Sequence, residues 1–353
     1  MGLILAFIGI GIIIFVHEFG HFLLAKRAGV RVDAFVLGFG PKVASFQWGE
    51  TTYGIALLPF GGYVKMPETA DELAPAESHR AFSSRPGLSK LGVLLAGPLM
   101  NVFLAVFLFA GVFGLGVPVP TTVIDQVERG SGAAVAGIRP GDRILAIAGQ
   151  PVSEWADVTR LVRANRGEPV KVTLLRNGER RTVQAKIGQT TVDGQTRPVL
   201  GIRSRLETRQ FTAVEALSNG AQVTWRLVAL IAGLPGMLIT GSVSGEEFLE
   251  GSLGPVGVIH LSSQAASRGI ADFLWLLGVI STTVGVLNLL PIPPLDGGRV
   301  AILGYETIRG APISRERLVQ LTTLGLALVL TLLVLLTVSD VSRILTGATL
   351  PGG

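Results

Sequence analysis

Charge is nearly absent from four stretches of this chain, roughly Gly2–Ala25, Leu91–Gly116, Ile270–Leu290 and Leu318–Val338. As helices, each is long enough to cross a hydrocarbon layer about 30 Å thick. None has a polar face for water to wet, so each is predicted to be a lipid-embedded span. A further apolar run, Leu227–Gly241, has only 15 residues and is interrupted by Gly233, Pro235 and Gly236. That is short for a crossing, and it is predicted to be an amphipathic or interfacial helix continuing from Phe211–Arg226.

The polar stretches divide differently. Val32–Met66 is punctuated by Gly38, Gly40, Pro41, Gly49, Gly54, Pro59, Gly61 and Gly62. Short strands and turns are expected there, either dipping toward the membrane or forming a hairpin on its cytoplasmic surface. Pro67–Ser89 reads as a polar loop, with His79 solvated. In Val117–Arg205 the hydrophobic runs shorten and turn signals recur, as at Arg139-Pro140-Gly141-Asp142. Val170–Leu175 and Arg181–Ile187 flank Asn177-Gly178 as a hairpin, and Trp155–Ala164 has helical spacing. The predicted architecture is a polytopic α-helical membrane protein with about four spans, a β-loop between the first two, and one inserted α+β domain. The parts are 1–116 and 270–353 as membrane core, 117–205 as the inserted domain, and 206–269 as an interfacial connector.

Composition agrees. The chain of 353 residues is 48% hydrophobic and 16% charged, with a mean hydropathy of +0.55, a balance foreign to ordinary soluble enzymes. Its net charge is +5, but the basic residues flank apolar runs, which indicates orientation in a lipid bilayer and no nucleic-acid partner. Lys26, Arg27, Arg31, Lys42, Arg80, Arg85 and Lys90 lie between the first two spans; Arg299, Arg309, Arg315 and Arg317 lie between the last two. Both connections are therefore expected in the cytoplasm, with the inserted domain outside an inner or cytoplasmic membrane. The N-terminus lacks the basic region and cleavage site of a signal peptide, so the first span is expected to be retained. With no cysteine, disulfides and thiolate metal sites are excluded.

Chemistry enters inside the first span, as His17-Glu18-Phe19-Gly20-His21. Two histidines four apart share a helix face and the glutamate between them can hold a water, the His-Glu-x-x-His arrangement of zinc proteases. Ionisable residues at this depth are costly and usually functional. A catalytic zinc needs a third protein ligand. Asp296 is the candidate, being the sole acidic residue between Asp272 and Glu306 and following the third span directly. His17 lies about 22 Å along its helix from Gly2, nearer the cytoplasmic end. Both spans run inward, so the two motifs converge there, and Pro291, Pro293 and Pro294 would let Asp296 turn into the bundle. His260 is expected to be structural.

On these residues the chain resembles the site-2 protease family of intramembrane zinc metalloproteases, in its bacterial group. His17–His21 matches the family's first motif, and Asn288–Gly297, with Leu295-Asp296-Gly297, its second. Gly38-Phe39-Gly40 with Gly61–Met66 is similar to a membrane re-entrant β-loop. Gly97-Pro98-Leu99-Met100-Asn101 is similar to a family signature, and Ala136–Ile144 to part of a PDZ domain. The inserted region has room for one such PDZ-like domain where some relatives carry two. The resemblance implies Zn2+ held by His17, His21 and Asp296, with Glu18 as the general base. It also implies that Asn288 positions the substrate backbone or developing oxyanion, although a polar residue tying two helices would look the same. The implied reaction is regulated intramembrane proteolysis of single-span membrane proteins, such as anti-sigma factors or signal-peptide remnants. Two other classes compete. A PDZ scaffold with a decayed core would not keep all four site residues, and a metal transporter would tend to carry internal repeats, which are not seen.

Overall fold

Without water to satisfy it, backbone in an apolar run must bond to itself, and the long uncharged stretches are helices over nearly all their length. The computed structural model describes residues 1–165, 167, 169–192 and 195–351. The chain divides into two units, Met1–Leu115 with Phe211–Gly353, and Gly116–Gln210.

The first unit opens with α1 (Gly2–Arg27), the strands β1 (Ala34–Trp48) and β2 (Thr51–Lys65), two 3₁₀ turns and α2 (Gly87–Leu115). The strands fold back on themselves, so that Val36 pairs with both Gly54 and Tyr63. Residues 62–65 thereby become one edge of the sheet. Phe39, Val43, Phe46, Trp48, Ile55 and Leu57 are exposed on it. Lys26 and Arg80 both reach Glu50 Oε1, at 2.6 and 2.7 Å, tying the end of α1 to the turn between the strands and to the second 3₁₀ turn.

The second unit holds β3 (Val117–Val127), α3 (Gly132–Val135), β4 (Arg143–Ile147), β5 (Gln150–Pro151), α4 (Trp155–Ala164) and β6 (Pro169–Arg176). It continues with β7 (Glu179–Lys186), β8 (Gly188–Val192), β9 (Gln195–Val199) and β10 (Ile202–Arg209). Its main sheet runs β10-β3-β4-β6-β7 with β5 beside β4, and β8 and β9 pair separately. Ile124, Ile144, Ile147, Leu161, Val172 and Leu174 fill the core. The expected hairpin is β6–β7. Its two-residue turn needs positive φ at both positions, and Asn177 and Gly178 supply 51° and 84°. Burial opposes charge on Asp142, but the Arg176 guanidinium, 2.7 Å from both carboxylate oxygens, and the Arg139 N–H hold its carboxyl below the usual range.

The first unit resumes with α5 (Ala213–Ile239), α6 (Gly245–Gly251), α7 (Pro255–Arg268), α8 (Ile270–Leu287), α9 (Asp296–Arg309) and α10 (Arg315–Thr346). Gly9 of α1 packs on Phe273 and Leu277 of α8, and Gly2 on Ser263 of α7. The other end of α1 meets Asp296, which follows α8, so the two helices run the same way. Between them α2 runs oppositely, its Gly97 against His21 and its Phe109 against Gly278.

One expectation is corrected. The apolar run after Arg226 is not a short segment by itself: it continues the preceding helix, as expected, but in one unbroken α5 of 27 residues. Pro235 removes one intrahelical hydrogen bond, which leaves the helix continuous. Among the described residues five helices, not four, are therefore long and apolar enough to cross a membrane, namely α1, α2, α5, α8 and α10. The short α7 and α9 were not foreseen either.

Candidate metal centre

Two close helix crossings build the site. Gly20 sits against the Ala96 carbonyl, and Gly97 against the imidazole of His21. A Cβ at either position would collide, so the pair of glycines lets α1 and α2 approach to backbone distance. His21 is then buried, and its Nδ1 lies 2.7 Å from the Val93 carbonyl of α2. Nδ1 of His17 lies 3.3 Å from the Asn101 side-chain amide, also on α2.

Asp296 arrives from the other side. α8 stops at Leu287, and a proline-rich turn leads into α9, whose first residue is Asp296. Gly297 N–H donates to the Asn288 carbonyl at 2.7 Å. A Cβ on Gly297 would strike the Leu289 carbonyl, and one on Gly298 would strike Pro293. The Asp-Gly-Gly sequence therefore lets α9 start directly on the turn, with its carboxylate aimed back at α1.

The geometry fits a tetrahedral cation. His17 Nε2 and His21 Nε2 are 3.3 Å apart, and Asp296 Oδ2 is 3.2 Å from the first and 3.3 Å from the second. A tetrahedron with metal–ligand bonds of about 2.0 Å has edges of about 3.3 Å. Asp296 Oδ2 is buried and makes no hydrogen bond despite these approaches. Two imidazole nitrogens and a carboxylate oxygen converge at the spacing a divalent metal requires, and this group could hold one.

Glu18 lies beside them, its Cγ next to Gly62 of β2. A cleft of about 760 Å³ is lined by His17, Glu18, His21, Asp296, Gly62, Tyr63, Val64 and Asn288, with Leu318 and Thr322 of α10 on its wall. Asn288 faces this cleft, while its amide Nδ2–H₂ donates to Val284 of its own helix at 3.0 Å. The other histidines are elsewhere. His260, on α7, accepts from the Gln264 amide at 2.8 Å, and His79 lies in the second 3₁₀ turn. Sequence reasoning missed the supports of the two imidazoles. The Val93 carbonyl has no sequence signal at all, whereas Asn101 had one, as a polar side chain in an otherwise apolar span.

The sequence model described as peptidase family M50 matches residues 5–332. The chain belongs to this peptidase family. The regulator of sigma-W protease RasP of Bacillus subtilis is 29% identical to it, covering 97% of this chain and 98% of that protein. The zinc metalloprotease RasP of Shouchella clausii is 30% identical over 98% of this chain and all of the relative. That of Geobacillus kaustophilus is 29% identical over 94% and 96%. The M50 chain is thus a zinc metalloprotease of the site-2 type, with several apolar helices that make it a multi-pass membrane protein.

Proposed function

We propose that the protein is an intramembrane endopeptidase that cuts single-span membrane proteins within or near their transmembrane segments, anti-sigma-factor-like proteins or signal-peptide remnants among them. In this reading His17, His21 and Asp296 are the zinc ligands, Glu18 is the general base, and Asn288 positions the substrate. The observation that carries it is the triangle of ligand atoms, 3.2 to 3.3 Å on each side, formed inside the apolar α1 and at the turn that follows α8.

Bound zinc supplies a Lewis acid for the scissile carbonyl and lowers the pKa of the attacking water. The remaining work falls to the chain. Glu18 takes the proton of that water on its carboxylate and returns it to the leaving nitrogen. A helical substrate hides its carbonyls in internal hydrogen bonds, so it must unwind before attack. Residues 62–65 pair on one side with 34–37, and among the described residues their other edge is bare. Gly62, Tyr63 and Val64 of that edge line the cleft beside Glu18. An extended substrate segment can add there as a further strand. Helix-breaking residues near the cut should therefore favour cleavage.

The apolar side chains exposed on β1 and β2 suit a sheet immersed in lipid. Positive charge in the connections puts the metal centre on the cytoplasmic side, and the PDZ-like inserted domain outside, where it binds exposed C-termini or obstructs bulky substrates. Replacing Glu18 by Gln is expected to abolish cleavage of a reconstituted single-span substrate while zinc content stays at one per chain. Chelation should do the same to the unaltered protein, reversibly. Unchanged cleavage by Glu18→Gln would remove Glu18 from its role.

A further inference from the structure

We propose that Asn101 is a positioning residue for the metal centre, fixing the tautomer and ring orientation of His17 through its side-chain amide. The inference rests on the reading above that His17 binds zinc through Nε2. A ligating Nε2 leaves the ring proton on Nδ1, so the group facing Nδ1 must accept a hydrogen bond. At His21 that group is the Val93 carbonyl, 2.7 Å away. At His17 it is Asn101, whose carboxamide carries an acceptor and a donor at opposite corners.

In the structure Nδ2 of Asn101 faces Nδ1 of His17 at 3.3 Å, and Oδ1 is buried without a partner. An Nδ1 that carries the ring proton would meet a donor there, so the acceptor corner is the one that must face it. A half-turn of the carboxamide exchanges its corners. Oδ1 then accepts the Nδ1 proton, its orphaned lone pairs are used, and Nε2 is left free to ligate.

The placement of Asn101 is rigid for reasons separate from this role. The residue is fully buried. Its main-chain carbonyl accepts the Ser281 hydroxyl of α8 at 2.8 Å, and Gly285 allows α8 to close against its Cβ. The tie between α2 and α8 is therefore made by the backbone of residue 101, which a side-chain substitution leaves in place.

The test is zinc affinity of the full-length protein in lipid nanodiscs, measured by competition with a chromophoric chelator. Asn101→Leu removes the amide at similar volume and should weaken zinc binding about 10- to 100-fold. Asn101→Asp keeps an acceptor and should stay close to the unaltered protein. Ser281→Ala cuts the helix tie and should leave zinc affinity unchanged. If Asn101→Leu does not fold, Asn101→Ala carries the same comparison. Unaltered affinity in Asn101→Leu, alongside a His17→Ala protein that has lost its zinc, overturns the role of Asn101 alone. Equal losses in Ser281→Ala and both Asn101 variants reduce it to packing and also overturn it. Full zinc affinity in His17→Ala would bring down the ligand assignment itself, and this inference with it.

Discussion

His21 reaches the metal centre because residue 97 has no side chain. A Cβ there would overlap the imidazole ring that Val93 holds in place. Gly97→Ala should therefore push His21 off its position. On propensity alone the change favours the helix by about 1 kcal/mol. The two effects have opposite signs, which makes the test informative. Cleavage is expected to fall about 100-fold, as for a catalytic group misplaced by about 1 Å, while thermal stability of the metal-free protein holds or rises. A stability loss matching the activity loss would count against the steric account. At this scale much of the site was legible in the sequence. Histidines at i and i+4 with a glutamate between them need only a helix to meet, and Asp296 stood out as the lone acid of its region. The contacts that aim the rings were not legible. Every residue has a carbonyl, so nothing marked Val93, and Gly97 stood out only as part of the Gly97–Asn101 signature, with no sign of what it packs on.

Among the helices long enough to cross a membrane, α10 buries the fewest residues, Gly325 and Asp340. It has two anchors. Gly325 lies on the Pro293 carbonyl, beside the turn that carries Asp296, and Asp340 caps α7. Asp340 is fully buried and accepts the N–H groups of Gly254 at 3.2 Å and Gly257 at 2.7 Å. A carboxylate at a helix N-terminus satisfies orphan donors and meets the positive end of the helix dipole. Asp340→Ala should cost about 3 kcal/mol, the upper figure for hydrogen bonds to a charged group, and amide exchange should rise at the start of α7. Zinc content should be unaffected, since the metal centre lies at the other anchor. Unchanged exchange across α7 would mean that Asp340 does not hold it. The sequence carried signs of these connectors that hydropathy alone passes over. Gly254-Pro255 places proline at the first helical position, and Ser244 with Glu247 forms a capping box at the start of α6. For α9 the stop is Gly310 with φ 71°, but its charged and apolar positions alternate too closely for a span to be read there.

At the scale of the whole molecule, the open matter is what α5 does, and heights along the helices decide it. Gly2 lies about 22 Å along α1 from His17, and Asp340 about 22 Å along α10 from Gly325. His17 and Gly325 both sit at the level of the metal-centre turn. On that measure the two ends of α7 are at one height, since Gly254 meets Asp340, and Ser263 and Ser267 meet Gly2. α7 thus lies across the ends of the spans away from the metal-centre turn, and α8 starts from that side. If α5 crossed inward, the chain would have to return between 240 and 253, taking Glu246, Glu247 and Glu250 through lipid, at a cost of several kcal/mol in all. The packing of α5 points the same way. Its buried residues, Ala216, Gly220 and Thr224, all lie in its first half, and Gly220 sits on Val106 and Ala110, in the half of α2 away from the metal-centre turn. Four crossings are then expected, with the end of α5 outside. Because the chain has no cysteine, single substitutions report without background. An impermeant thiol reagent applied to intact spheroplasts should label Ser242→Cys together with Gln150→Cys, and should reach Ala76→Cys only after lysis. Labelling of Ser242→Cys in step with Ala76→Cys would make α5 a fifth crossing and refute the height argument, because three glutamates would then traverse the bilayer without the penalty it assumes.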